Sequence, residues 1–468
     1  MVAVAVLSAW VAPPAAAAAA LPGSLVRGLG SSMGLSERQT RELRKFAYKG
    51  SDASLVYKFF LSPLAQWLVD ALIPTWMAPN VITLIGLLFN IASAALVIVF
   101  NPELSGDCPH VGWLALVSAA CMFLYQTFDN MDGKQARKTG TSSPLGLLFD
   151  HGCDAINAGL SVLPVASALG FGWSRKMLFN VIPFIPFYFQ NWEVFYRKEF
   201  VLPVINGPSD GLLLAISMML TTFFTGSAQW FHTPYSLPLP LPLPPPLSSV
   251  KLVPYDVMTT LAVTGAVLTA IFQTGNVLAR LAKDHQRDGG HYSSRVATAL
   301  LGLVPFVVYF ASILVWLGSA HSKALTPEYR YWTLALVSSV LVEMLNHINI
   351  MYITAEPSLR PWERYTVLCT VYLAISVQPW FRRFVVAAAP MSIAGEESVL
   401  VFFSLICTYV CLRAMYDMNM EVAQALGINV FTLGPKSSPH RNKDKTKKTR
   451  ENAMGGRAAS RSRKTKLQ

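Results

Sequence analysis

Long apolar runs broken by short polar segments repeat along this chain, at 81–100, 111–128, 155–172, 177–194, 211–227, 257–279, 296–318, 331–352, 365–380 and 396–415. An upright helix needs about 20 apolar residues to cross a bilayer, so the shorter runs must extend into their flanks. The pattern predicts an all-α, polytopic integral membrane protein of about ten transmembrane helices. The stretch 54–76 differs. It mixes Lys58 and Asp70 with Phe59, Phe60, Leu61, Trp67 and Leu68 and ends at Ile73-Pro74. It predicts an amphipathic helix lying in the membrane interface.

Composition excludes an ordinary soluble domain. Of 468 residues, 53% are hydrophobic and 14% charged, against about 25% charged in soluble domains. The net charge of +12 is uneven. Residues 436–468 hold twelve Lys/Arg and two acids, a net +10, which leaves +2 for the rest. The basic character belongs to a tail, expected to be disordered and cytosolic over 421–468. It suits anionic lipid headgroups, and no nucleic-acid partner is expected after so many spans. Residues 1–44 read as a disordered Ala/Pro-rich extension, since they lack the basic start of a secretory signal. The membrane-embedded domain is then 45–420. The proline-rich loop 233–250 reads as an extended spacer. The six cysteines are scattered without a C-x-x-C pair, which argues against a disulfide framework or zinc ribbon. Ten spans put both termini on one side. Arg280, Lys283, Arg287, Arg295 and the tail make that side cytosolic, although Arg175/Lys176 and Arg382/Arg383 fall opposite.

Against this background, four carboxylates stand out. Asp129 and Asp132 are three apart, Asp150 and Asp154 four apart, so each pair shares a helix face. A short Gly-containing turn between the two helices would converge all four. Unpaired, they would repel one another and desolvate badly. A hard divalent cation, Mg²⁺ or Mn²⁺, removes that cost through oxygen ligands. His151 follows the third Asp and has an intrinsic pKa suited to a general base at neutral pH. Asp154 is the rival base.

The run FDNMDGKQARKTGTSSPLGLLFDHGCD, with WMAPNVITLIG at 76–86 and NWE…VLPVINGPSDG at 191–211, resembles the CDP-alcohol phosphotransferases. It is closest in form to the eukaryotic choline/ethanolamine branch, in its plant-type aminoalcohol phosphotransferase version. The resemblance covers roughly 45–420 and implies the CDP-alcohol phosphotransferase fold. It implies an Mg²⁺-dependent enzyme of the endoplasmic reticulum or Golgi membrane, with its site facing the cytosol. Such an enzyme transfers phosphocholine or phosphoethanolamine from CDP-choline or CDP-ethanolamine to 1,2-diacylglycerol, releasing CMP. It also implies a homodimer. Lys464 and Lys466 near the C-terminus look like a dilysine retrieval signal. The alternatives are another acceptor, such as inositol or glycerol phosphate, or a non-enzymatic scaffold that has kept the motif.

The expected metal ligands are Asp129, Asp132, Asp150 and Asp154, with His151 catalytic. In the branch it resembles, the matching His of FDHG is assigned as base. Gly133 would let backbone approach the nucleotide, Ala136 would keep its face clear, and Arg137 offers a planar fork to phosphate. Asn80 matches a position that helps hold CDP-alcohol, and could equally cap its helix. Leu147 stands where relatives often carry an acid. Glu193, Asn206 and Asp210 could line the alcohol pocket, though relatives commonly have Glu at the place of Asp210. Tyr125, Trp192, Phe195 and Tyr196 could form a cation–π cage. Glu343, His347 and Asn349 could meet substrate or join helices.

Overall fold

The structure is a computed structural model that describes residues 34–238, 249–319, 322–359 and 394–433. The apolar run 365–380, residues 1–33, loop residues 239–248 and the tail from 434 lie outside the described residues. The chain divides into a compact unit up to Phe431 and a second unit from Thr432 onward, of which two residues are described.

Eight described helical segments are long and apolar enough to cross a membrane. They begin with α3 (Pro79–Phe100), after α1 (Glu37–Lys45) and α2 (Ser62–Ala71). A proline opens α3 at its first turn, where no N–H is needed. Helix α4 (Val111–Thr139) ends at Gly140, whose φ of 70° takes the left-handed conformation that closes a helix. Four residues later α5 (Pro144–Leu160) starts, capped by Ser143 Oγ accepting from Gly146 N–H at 3.2 Å. With α6 (Val162–Leu169) it makes one span, Pro144–Leu169. The span starts earlier than the expected 155 because charged residues at 150, 151 and 154 lower the hydropathy of a helix that is nevertheless continuous.

The expected span 177–194 is two short helices, α7 (Trp173–Val181) and α8 (Phe184–Arg197). Pro183 between them lacks an N–H and its ring obstructs the preceding turn. A π-helical turn, Gly207–Gly211, leads into α9 (Leu212–Thr225), followed by the short α10 (Gln229–His232). Strands β3 (Tyr235–Pro238) and β4 (Ser249–Leu252) pair antiparallel at the two ends of the proline-rich loop. Then come α11 (Pro254–Asp288), α12 (Tyr292–Leu301), α13 (Val304–Leu317), α14 (Arg330–Ile353) and α15 (Ala394–Leu426). Helix α15 runs to Leu426, so residues 421–426 of the expected tail are helical.

The expected extension 1–44 is also too long. Helix α1 lies partly inside it, started by a capping box between Ser36 and Gln39. It docks through Arg38 and Gln39 on Glu356, at 2.6 and 2.8 Å, and through Arg44 on the Ala425 carbonyl. The expected interfacial element is a π-helical turn, Tyr57–Leu61, running into α2. It exposes Phe59, Phe60, Trp67 and Leu72 along the outside.

Helix α4 packs along α3, α9 and α2, while α14 packs on α5, α8 and α15. Most of α14 is buried and little of α11 is, so α14 is central and α11 peripheral. Polar side chains join helices inside the apolar interior, where they lack water. Asn90 donates to Asn157, Ser93 Oγ meets Ser118 Oγ at 2.9 Å, and Asn101 donates to Ser167 at 2.8 Å. The closest helix approach near the motif is at Gly86, where an added Cβ would stand 2.9 Å from Phe128 Cβ. Phe128 Cβ is fixed to the backbone of α4 and cannot swing away. Gly86→Ala is therefore expected to cost about 1–3 kcal/mol, read as a lower midpoint in thermal unfolding in detergent.

At the end of the molecule opposite the motif, Lys176 is buried, donates to the Glu103 carbonyl at 2.8 Å and lies over Trp173. Burial, with Arg330 nearby, pushes its ammonium down to about 8. Between that value and the ordinary lysine range, about 10.4, the unfolded chain holds the extra proton, so stability rises with pH. Lys176→Met is expected to remove this part of the rise, measured as the wild-type-minus-variant difference in unfolding midpoint from pH 7.5 to 10.

Candidate active site

Two helix ends and the turn between them build the site. Helix α4 carries Asp129, Asp132, Gly133, Ala136 and Arg137 in its last turns, and α5 carries Gly146, Asp150, His151 and Asp154 in its first. The three- and four-residue spacings keep each set on one face, and the turn at 140–143 lays the faces together.

One carboxylate oxygen each from Asp129, Asp150 and Asp154 lies within 4.8 Å of the others. Asp132 is the fourth member and stands beside Asp150. Its carboxylate accepts from Thr83 Oγ1 on α3, and Asp154 accepts from the Tyr125 hydroxyl on α4. Asp150 Oδ1 is buried with no hydrogen-bond donor upon it among the described residues. None of the ion pairs among the described residues reaches these carboxylates. Converging, partly buried carboxylates that no cationic side chain among the described residues pairs with fit a hard divalent cation. The all-oxygen donor set suits Mg²⁺ or Mn²⁺ rather than Zn²⁺.

The basic residues beside the motif have other work. Lys134 Nζ donates to Ser62 Oγ at 2.8 Å, and Lys138 Nζ to the Val69 carbonyl at 2.6 Å. Gln135 donates to the Pro74 and Met77 carbonyls, each at 2.9 Å. These three fasten the interfacial element to α4. Arg137 instead folds back over Gly133, its Nη1 3.5 Å from where a Gly133 Cβ would stand, and no other side chain among the described residues beyond Gly133's chain neighbours comes within 4 Å of that point. The missing side chain thus leaves open space beside the carboxylates.

Asn80 does not cap α3. The capping position is Ala78, without a side-chain bond. The Asn80 amide donates to the Val430 carbonyl at 3.0 Å, and its Oδ1 faces Gly146 at the start of α5. Leu147 is buried in the apolar core.

His151 is buried. Its Nδ1 meets Asn349 Oδ1 on α14 at 3.4 Å, and the Asn191 amide on α8 is the second polar group at the ring. Asn191 directs its own Nδ2 to the Phe187 carbonyl at 3.2 Å. Phe200 lies against the imidazole, with centroids 5.3 Å apart. A parallel ladder brings Phe200 there: β1 (Gly50–Asp52) pairs with β2 (Phe200–Leu202), Gly50 opposite Phe200.

Several expected pocket residues are occupied elsewhere. Trp192 is fully buried and donates Nε1 to the Ala299 carbonyl at 3.0 Å, so it is no face of an open cage. Tyr125 is bound to Asp154, and Phe195 and Tyr196 pack edge to face. Glu193 pairs with Arg197 and accepts from Asn276 at 2.9 Å, tying α8 to α11. Asn206 and Asp210 bond within the cytosol-expected knot of Asp52, Ser54 and Ser209. Of the three α14 candidates, Asn349 meets the motif at His151, and its neighbour Asn346 faces Gly152. Thr83 was not anticipated. Its signal is a hydroxyl three residues after Asn80 on an otherwise apolar helix. Thr83→Val is expected to raise the Mg²⁺ concentration needed for half-maximal activity about 10–100-fold, measured by metal titration.

The family model described as CDP-alcohol phosphatidyltransferase matches residues 76–235, which contain the four carboxylates, His151 and Thr83. Choline/ethanolaminephosphotransferase 1 of Arabidopsis thaliana is 31% identical over 400 residues, covering 85% of this chain and 97% of that protein. Choline/ethanolaminephosphotransferase 2 of the same plant is 35% identical over 274 residues, covering 58% of this chain and 67% of the relative. Choline/ethanolaminephosphotransferase 1 of Saccharomyces cerevisiae is 34% identical over 284 residues, 59% of this chain and 69% of that one.

Proposed function

The chain belongs to the CDP-alcohol phosphatidyltransferase family, and from that premise we propose that it transfers phosphocholine or phosphoethanolamine from CDP-choline or CDP-ethanolamine to 1,2-diacylglycerol, yielding phosphatidylcholine or phosphatidylethanolamine and CMP. The carrying observation is the convergence of Asp129, Asp150 and Asp154 within 4.8 Å, with Asp132 alongside. It occurs in a chain that aligns with nearly all of a plant protein named for this activity.

In this reading Asp129, Asp132, Asp150 and Asp154 hold Mg²⁺ or Mn²⁺. The bound ion would neutralise the diphosphate and the charge that develops on departing CMP. Asn80, Gly133, Ala136 and Arg137 form the nucleotide side. Gly133 and Ala136 leave room, and Arg137 reaches phosphate oxygens through its fork. His151 takes the proton from the diacylglycerol hydroxyl as that oxygen attacks the phosphorus bearing the amino alcohol. The bond from that phosphorus to the CMP oxygen breaks, and CMP leaves. Asp154 serves better as ligand than as base, because it lies in the carboxylate cluster and already accepts from Tyr125.

A lipid acceptor is favoured over inositol or glycerol phosphate. A soluble anion needs a basic pocket, and Lys134 and Lys138 are both held by the interfacial element. The same reading puts the enzyme in the endoplasmic reticulum membrane, with its site toward the cytosol and as a homodimer. The test is a panel on purified protein in detergent with Mg²⁺. CDP-choline and CDP-ethanolamine are each paired with diacylglycerol, inositol or glycerol phosphate. Phospholipid is expected with diacylglycerol alone, and turnover confined to a soluble acceptor would replace this reading.

A further inference from the structure

His151 on α5 meets a side chain from far along the chain: its Nδ1 partner, Asn349, comes from α14, 198 residues away. Both side chains are buried, His151 at 7% and Asn349 at 3% exposure, so neither is held there by solvent. Asn349 is on the most enclosed of the described candidate membrane helices, three residues from Asn346, whose Oδ1 would lie 3.2 Å from a Cβ on Gly152. Helix α14 therefore meets α5 with two amides, one against the residue after His151 and one against the imidazole itself. A neutral imidazole has one N–H, and its partner decides which nitrogen stays basic. An amide oxygen at Nδ1 can only accept, so it favours the tautomer with the proton on Nδ1 and the lone pair on Nε2.

We propose that Asn349 is a positioning residue for the general base: by accepting from Nδ1–H it fixes the ring orientation of His151 and keeps Nε2 as the nitrogen that receives the acceptor's proton. The inference rests on the base role given to His151 above. It also gives Asn349 a role in the proton-transfer step and none in holding nucleotide or metal. During the step, the proton of the acceptor hydroxyl moves to Nε2, Nδ1 keeps its own, and the imidazolium formed is stabilised by the same Asn349 oxygen. A buried amide paired with a catalytic histidine acts in this manner whenever orientation, rather than charge, is what the ring needs.

The test is a double-mutant cycle on the full chain in detergent with diacylglycerol, Mg²⁺ and CDP-choline. The variants are Asn349→Leu, His151→Ala and the double substitution. Asn349→Leu is expected to lower kcat about 10–100-fold, while the KM for CDP-choline and the Mg²⁺ requirement change less than about 3-fold. In the His151→Ala background it should have no further effect, because the group it positions is gone. Equal losses in both backgrounds would mean a packing role and overturn the inference. His151→Ala with near-normal kcat would instead reject the base reading, a separate outcome. If Asn349→Leu shows no thermal shift with CDP-choline, Asn349→Asp carries the test. It keeps an acceptor for Nδ1–H and should hold kcat within about 10-fold of wild type. A loss as large as that of His151→Ala would overturn the inference.

Discussion

Asp150→Asn is expected to lower CMP release by at least about 10³-fold, a loss of roughly 4 kcal/mol of transition-state stabilisation. Asp150 is the best single probe of the cluster because it lies among Asp129, Asp132 and Asp154 and has a buried oxygen with no donor on it. The substitution keeps shape and volume while removing the charge and one anionic ligand. It also relieves repulsion within the cluster, so the folded protein is expected to be as stable as wild type, or more so, without metal. Lower activity with an equal or higher unfolding midpoint in chelator separates a metal-holding carboxylate from a structural one. A structural carboxylate would lose both together.

His151→Ala is the second large effect, about 10²–10⁴-fold in kcat, the range removed with a positioned acid or base. The KM for the CDP-alcohol should stay within a few fold, since the imidazole is packed against Phe200 and Asn349. Asp154 competes for the base role on sequence alone. Its acceptance of the Tyr125 hydroxyl and its place in the cluster favour the ligand role. Asp154→Asn should accordingly resemble Asp150→Asn in its response to added Mg²⁺, whereas His151→Ala should not respond to metal. Matching metal dependence in all three variants would argue against this division of roles.

The motif was legible because carboxylates are rare in so apolar a chain and their spacing is helical. Most membrane helices were legible for the same reason: hydropathy alone marks them. The errors have local causes. Three ionisable residues in α5 left its first turns outside the expected apolar span, which started at 155, although Ser143-Pro144 is an ordinary helix start. Pro183 split an apolar run that hydropathy reads as continuous. The capping signal at Ser36 and Gln39 was present but lay beside an Ala/Pro-rich stretch that suggested disorder. The remaining features depend on distant partners. A three-residue parallel ladder between 50–52 and 200–202 has no local pattern, yet it sets Phe200 against His151. Nor does the run Lys134-Gln135-Ala136-Arg137-Lys138 announce that both lysines and the glutamine face the interfacial element while Arg137 folds over Gly133.

The central claim is that the carboxylates joined by α4 and α5 hold a divalent cation for phosphotransfer from a CDP-alcohol. The most direct measurement is CMP and phospholipid formation by the purified full chain with diacylglycerol and labelled CDP-choline or CDP-ethanolamine, across an Mg²⁺ titration that begins in chelator. The account predicts no turnover in chelator, recovery with Mg²⁺, one CMP per phospholipid, and no recovery in Asp150→Asn at the concentration that saturates wild type. Turnover that persists in chelator, or folded wild-type protein that releases no CMP from either donor at any Mg²⁺ concentration, would contradict it.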